Sequence, residues 1–276
     1  MQSIFKLAAA AAAALLLAAN ASAIPIYGNS ASFGNNPLST IDSTTGAETA
    51  RFTGQSSGNG RGIVVVGDVM YYTVVNDSHI YEINKNTGAI LGSIQTQNAS
   101  MSTIAFDGTF FYTADYAGSN KAFKIDPVTG LNVQTITLSN AQYYMDGLEF
   151  FNNKLIANRC DACGVYDIYD LNGNLLTASF IDTKKDSTGI AFDGVNFLVS
   201  DLRNGKIETY DGTTGAFISS LTLTPKTAGG TFLIEDLSVD YATRIDINPV
   251  PEPETYAMML AGLGLLGFMA RRKKRG

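Results

Sequence analysis

The chain has 276 residues, 19 Lys and Arg against 25 Asp and Glu, 27 glycines, two cysteines and a single histidine. Residues 24–248 are more acidic than the whole, with 13 basic residues against 23 acidic ones. A nucleic-acid partner needs a basic face, so that class is excluded, and one histidine excludes a His-based metal cluster.

Residues 1–23 read as an export signal. Lys6 supplies the positive start, Leu7–Ala19 the apolar core, and Ala21-Ser22-Ala23 the small-residue cleavage pattern. The core is too short for a stable membrane span. The mature chain is therefore expected to start at Ile24.

The body, residues 24–248, is built from one repeated unit, clearest over Ser187–Leu223. Four short strands are expected there, at Gly189–Phe192, Asn196–Ser200, Lys206–Tyr210 and Ala216–Leu223. The intervening Asp193-Gly194 and Asp211–Gly215 are hairpin turns, since glycine takes a positive φ without steric cost. Ile207 and Tyr210 fall out of strict alternation by one residue. The Thr-Gly or Asn-Gly turn recurs at Gly46, Gly88, Gly130, Gly173 and Gly215, in steps of 42, 42, 43 and 42 residues. An apolar first-strand marker recurs at Ile63, Ile104, Leu148, Ile190 and Leu237. Unrelated hairpins in a sandwich would not keep this spacing. Such a period predicts an all-β, five-bladed β-propeller, whose blades cannot bury their faces alone.

Ring closure is expected from the two ends of the body. Pro37–Asp42 and Ala47–Thr53 match the third and outer strands of a blade, with no first strand before them. Leu237–Asp240, joined by Arg244–Ile247, supplies the first strands and lacks outer ones. Pairing the N- and C-terminal strands would complete the fifth blade and remove the free sheet edges.

Cys160 and Cys163 form a local Cys-Asp-Ala-Cys, for which a disulfide is expected in an exported chain. Exchange chemistry is the alternative, but no βαβ pattern surrounds the pair. Gly164 stands where haem attachment would need histidine, and two thiolates fall short of a zinc site.

Chemistry, if present, belongs at the channel mouth. Two positions before each first-strand marker stand Arg61, Ser102, Asp146, Thr188 and Glu235, a polar ring of unlike members. Together with Asp236 they are the candidate ligand or cation site. Asp146, Glu235 and Asp236 are the residues through which calcium would be held, although no Asp-x-Asp-x-Asp-Gly loop is present. Asn76, Asp115, Asn158 and Asp201 recur at the end of the second strand, where such side chains accept local backbone N–H bonds. His79 reads as a solvated loop residue. No hydrolase, metalloprotease or phosphate-loop motif appears, so no catalytic residue is assigned.

Residues 249–276 form a second module. Val250-Pro251-Glu252-Pro253 is extended by its prolines, Tyr256–Ala270 is apolar, and Arg271, Arg272, Lys273, Lys274 and Arg275 close it. A single transmembrane helix is expected, with the basic block held on the cytoplasmic side. Signal, Pro-Glu-Pro, apolar stretch and basic end, in that order, resemble the PEP-CTERM proteins, substrates of exosortases. The resemblance implies that an integral-membrane exosortase recognises Pro251, Glu252 and Pro253, cleaves nearby, and passes the protein to the cell surface or exopolysaccharide matrix. An ordinary membrane anchor is the alternative. The body also resembles NHL- and YVTN-type propellers at Val199-Ser200-Asp201, Gly205-Lys206-Ile207 and Tyr210-Asp211, which implies architecture and no activity.

Two functions follow. One is a non-enzymatic exported propeller that binds, or builds structure with, extracellular polysaccharide or another surface protein. The other is a cation-dependent propeller lyase or hydrolase acting on sugar or lactone substrates.

Overall fold

The repeat unit becomes a four-stranded antiparallel sheet, and five such sheets form the body in the computed structural model. It describes residues 24–31, 37–56, 58–160, 163–226 and 232–244. The expected signal at 1–23, the Pro-Glu-Pro motif, the apolar stretch and the basic end all lie outside the described residues. Among the described residues no helix is long and apolar enough to cross a membrane.

The strands run in chain order. β1 (Ile26–Ser30), β2 (Pro37–Ile41) and β3 (Glu48–Thr53) come first. Blade 1 is β4 (Gly60–Val66), β5 (Val69–Val74), β6 (His79–Asn84) and β7 (Ile90–Gln95). Blade 2 is β8 (Ala105–Phe106), β9 (Phe111–Ala114), β10 (Lys121–Ile125) and β11 (Asn132–Thr137). Blade 3 is β12 (Leu148–Phe151), β13 (Lys154–Asn158), β14 (Val165–Tyr169) and β15 (Leu175–Asp182). Blade 4 is β16 (Ser187–Phe192), β17 (Asn196–Asp201), β18 (Lys206–Asp211) and β19 (Phe217–Thr222), and β20 (Ile234–Val239) follows. The first strands β4, β8, β12, β16 and β20 each touch the next, and β20 returns to β4. The ring is closed.

Closure differs from the expectation in one strand. The fifth sheet runs β20-β1-β2-β3, so the C-terminal part gives one strand and the N-terminal part three. Ile26 pairs with both Val239 and Ile41, which makes β1 the second strand. Of the expected Arg244–Ile247 only Arg244 is among the described residues, and it lies outside any strand. After β20 the chain enters a single 3-10 turn, Tyr241–Thr243, capped by the Asp240 side chain. β1 was hidden because Gly28 and Asn29 are poor strand residues. Asn29 is nevertheless fully buried, and its amide donates to the carbonyls of Gly62 at 3.0 Å and Thr73 at 3.1 Å.

A blade is covered on both faces, so alternate residues of one strand serve two different cores. Ile63 and Val65 pack toward the closing blade, while Val64 packs toward blade 2. Phe197 and Val199 pack toward blade 3, while Leu198 packs toward the closing blade. Among the described residues the hydrophobic clusters number five, one at each seam. The lost alternation at Ile207 and Tyr210 has the same origin. Three positions apart, the two point to opposite faces of the blade, Ile207 to the closing-blade seam and Tyr210 to the blade 3 seam, while a bulge in β19 shifts its register to β18 after Thr209. The same bulge lies at Thr40/Ile41, Glu82/Ile83, Lys124/Ile125 and Ile168/Tyr169.

The turn that reveals the period also fastens the seams. In the turn at Gly46, the Asp42 side chain accepts the N–H groups of Thr44 and Thr45, and the Gly46 N–H bonds the Asp42 carbonyl. These bonds lower the Asp42 pKa. Gly130 has φ +69°, and a Cβ there would lie 1.9 Å from the Gln95 carbonyl of the preceding blade. Gly46, Gly173 and Gly215 press on the preceding outer strand in the same way. Both backbone angle and close approach demand glycine.

Candidate functional site

The inner strands begin at one end of the ring, and there the backbones touch. A Cβ on Gly62 would lie 2.4 Å from Thr103 and Ile104 of the next blade. On Gly147 it would meet the Thr188 carbonyl at 2.2 Å, and on Gly189 the Asp236 Cα at 2.3 Å. These glycines stand one position before the first-strand markers. Second-strand side chains take up the N–H groups this leaves unladdered: Thr73 for Gly62, Ser200 for Gly189, and Asn158 for both Asp146 and Gly147. The mouth is thereby constricted.

The expected polar ring converges on this constriction. Arg61 reaches across to Glu235 at 2.6 Å and lies 3.6 Å from Asp146. Burial disfavours its charge, but Glu235 and Asp146 outweigh that and raise its pKa. Thr188 donates to the Glu235 carbonyl at 2.7 Å, and Ser102 donates to the carbonyls of Ala114 and Met145. Asp236 turns away from this group. It accepts from the Ile63 N–H at 3.2 Å, the Thr103 hydroxyl at 2.9 Å and its neighbour Leu237 at 3.0 Å. Burial raises its pKa well above the usual carboxylate range. Among the described residues no three His, Cys, Asp or Glu side chains are grouped to hold a metal ion. The cation at the mouth is an arginine.

The second-strand-end set does divided work. Asn158 caps the start of β12 as above, and Asp115 accepts the Ala117 N–H at 2.8 Å. Asp201 is buried and accepts from the Asn204 amide, while exposed Asn76 takes a left-handed turn conformation. His79 is paired with Asp77 at 2.7 Å and lies against Tyr81. Cys160 and Cys163 are joined in a disulfide with Cα atoms 5.6 Å apart.

Sequence reasoning missed what covers the mouth. The Tyr116 ring lies over the Arg61 guanidinium, 4.0 Å from its carbon to the ring centre. Tyr144 meets Tyr116 edge-on at 5.3 Å, and Tyr143 meets Tyr144 at 90° and 5.3 Å. Tyr143 is 53% exposed and Tyr144 40%. Their only sequence signal is the Tyr-Tyr pair in the long β11–β12 connection, which no periodicity marks.

The opposite end of the channel is crossed by the last described residues. Asp240 accepts from the Gly67 N–H and pairs with Lys85, and Tyr241 stands edge-on to Phe106. Arg244 bonds Glu149 at 2.8 Å and the Phe150 carbonyl at 3.1 Å, at the far end of β12 from Asp146.

The chain divides into two units, Met1–Ile245 and Asp246–Gly276. The PEP-CTERM protein-sorting motif matches residues 249–274 of the second unit. The chain carries a PEP-CTERM sorting motif. The match covers Pro251, Glu252, Pro253, the apolar stretch and the basic block through Lys274. A PEP-CTERM motif implies export, a membrane-anchored precursor and processing by an exosortase. No curated protein matches this chain. The chain is similar to one in the crystal structure of a nidogen/laminin complex, with a TM-score of 0.55 and 10% identity, covering 79% of this chain and 98% of that one. Glutaminyl cyclase from Myxococcus xanthus is a second similar structure, with a TM-score of 0.49 and 13% identity, covering 59% of this chain and 70% of that one. At these identities the likeness is one of fold alone.

Proposed function

We propose that this protein is a non-enzymatic binding module displayed by exosortase sorting at the cell surface or in the extracellular matrix. Its ligand face is the channel-mouth end of the ring. The observation that carries this reading is the exposed Tyr143–Tyr144 pair, standing on Tyr116 over an arginine that is already engaged by carboxylates. Exposed, rigid aromatic rings beside a fixed polar network give contact area at little entropic cost. The last described residues, Asp240 to Arg244, lie at the other end of the channel.

The cation-dependent enzyme reading needs Asp146, Glu235 and Asp236 to act together. The geometry does not favour it, because Arg61 occupies the space between two of them and Asp236 serves the backbone of β4.

The test is fractionation of the producing cells. Tyr143→Ala combined with Tyr144→Asn, which tolerates a left-handed backbone, should leave processing intact and shift the mature protein from the surface-bound fraction to the medium. Equal partition of variant and wild type would overturn the reading.

A further inference from the structure

We infer that the tyrosine pair is a saccharide platform, and that its ligand is a neutral pyranose polymer. This rests on the binding-module reading and names the ligand class for it. The two rings stand at right angles, with centres 5.3 Å apart. They form a corner in which a sugar ring lies its C–H face on one tyrosine while the other walls its edge. Tyr144 holds this place with φ +57°, a conformation bulky residues rarely adopt. The facing loop brings Gly118 against the Tyr144 ring, where an added Cβ would lie 3.6 Å from its hydroxyl.

Charge selects the ligand. Residues 24–248 carry ten more acidic than basic residues. The two arginines that adjoin the corner are committed, Arg61 to Glu235 and Asp146, and Arg159 to Asp167 at 2.7 Å. A polyanion would meet a like-charged body and arginines already taken. Size argues against a protein partner. Apart from this tyrosine pair, the large exposed apolar side chains among the described residues belong to outer strands and turns, such as Ile90, Val128, Leu176 and Phe217. Two isolated rings are a small apolar centre for a stable protein interface, which buries about 800 Å² on each side in all. Beside the pair stand exposed Gln142, next to Tyr143 in the chain, and half-buried Ser100, whose carbonyl accepts the Tyr116 N–H, groups that hydrogen-bond to hydroxyls.

The chain has no tryptophan but 13 tyrosines, so the site is read as the part of the tyrosine quenching that is lost in the Tyr143→Ala and Tyr144→Asn variants. The full chain, purified in detergent, is titrated with a soluble α-glucan, a soluble β-glucan and alginate. One glucan is expected to quench tyrosine emission and retard the protein in affinity electrophoresis. Binding should be unchanged between low and high salt and weakened at least tenfold in Tyr143→Ala and in Tyr144→Asn, with Phe217→Ser binding as wild type. Salt-sensitive binding to alginate alone would overturn the inference, as would glucan binding that ignores both tyrosines. If neither glucan binds while the tyrosine variants still leave the surface fraction, the partner is a protein. The saccharide inference then fails and the binding-module reading stands.

Discussion

Asp236 shows at the scale of one residue why the candidate site was only half legible. Its place beside Glu235 put it in the mouth, and an acid there suggested a cation. Only the fold shows that its neighbours are backbone N–H groups and the Thr103 hydroxyl. Burial raises its pKa despite these bonds, with the Glu149 charge adding to the rise. An acid whose pKa is raised on folding binds its proton more tightly in the folded protein. Its stabilising contribution is therefore full below the unfolded value, about pH 4, and is lost as pH rises toward the folded one. Thermal midpoints of wild type and Asp236→Asn, followed from pH 5 to pH 8, should move apart, with wild type losing stability relative to the variant. A pH-independent difference would contradict this. Arg61, Asp146 and Glu235 were legible as a set because they share one register position. The tyrosines over them were not, since a loop aromatic carries no period.

Elements were read well wherever glycine and apolar spacing act together. The turn glycines marked the blades because the same physics fixes them twice, by a positive φ and by a neighbouring strand's carbonyl. That double demand separates two substitutions. Gly67 has φ +59° with nothing within 4 Å of an added Cβ, so Gly67→Ala should cost about 1 kcal/mol in backbone strain. Gly130→Ala adds a clash with Gln95 and should cost about 3 kcal/mol. Urea denaturation of both variants measures the difference, and equal losses would show that the seam does not depend on close approach. Where side chains mimic loops, the sequence misleads. β1 reads as Ile-Tyr-Gly-Asn-Ser because Asn29 is spent on cross-blade bonds, and Gly28 faces Ile234 at distances that leave no space for a side chain.

For the whole molecule, repetition made the architecture legible from two independent markers, each counted five times. Closure was legible as a principle and wrong by one strand, because three N-terminal strands rather than two complete the last blade. The ring and the sorting motif are separate statements in one chain, and the motif at 249–274 is what commits the ring to export and exosortase processing. Proline resists helix continuation, so Pro251-Glu252-Pro253 is suited to recognition by the processing enzyme as an extended segment. The direct measurement is to replace these three residues with Ala-Ala-Ala and follow the protein by immunoblot across membrane, surface and medium fractions. The account predicts that the variant is exported and folded but uncleaved, and collects at full length in the membrane fraction. Cleavage and release of the variant at the wild-type rate would contradict it and leave the tail an ordinary anchor.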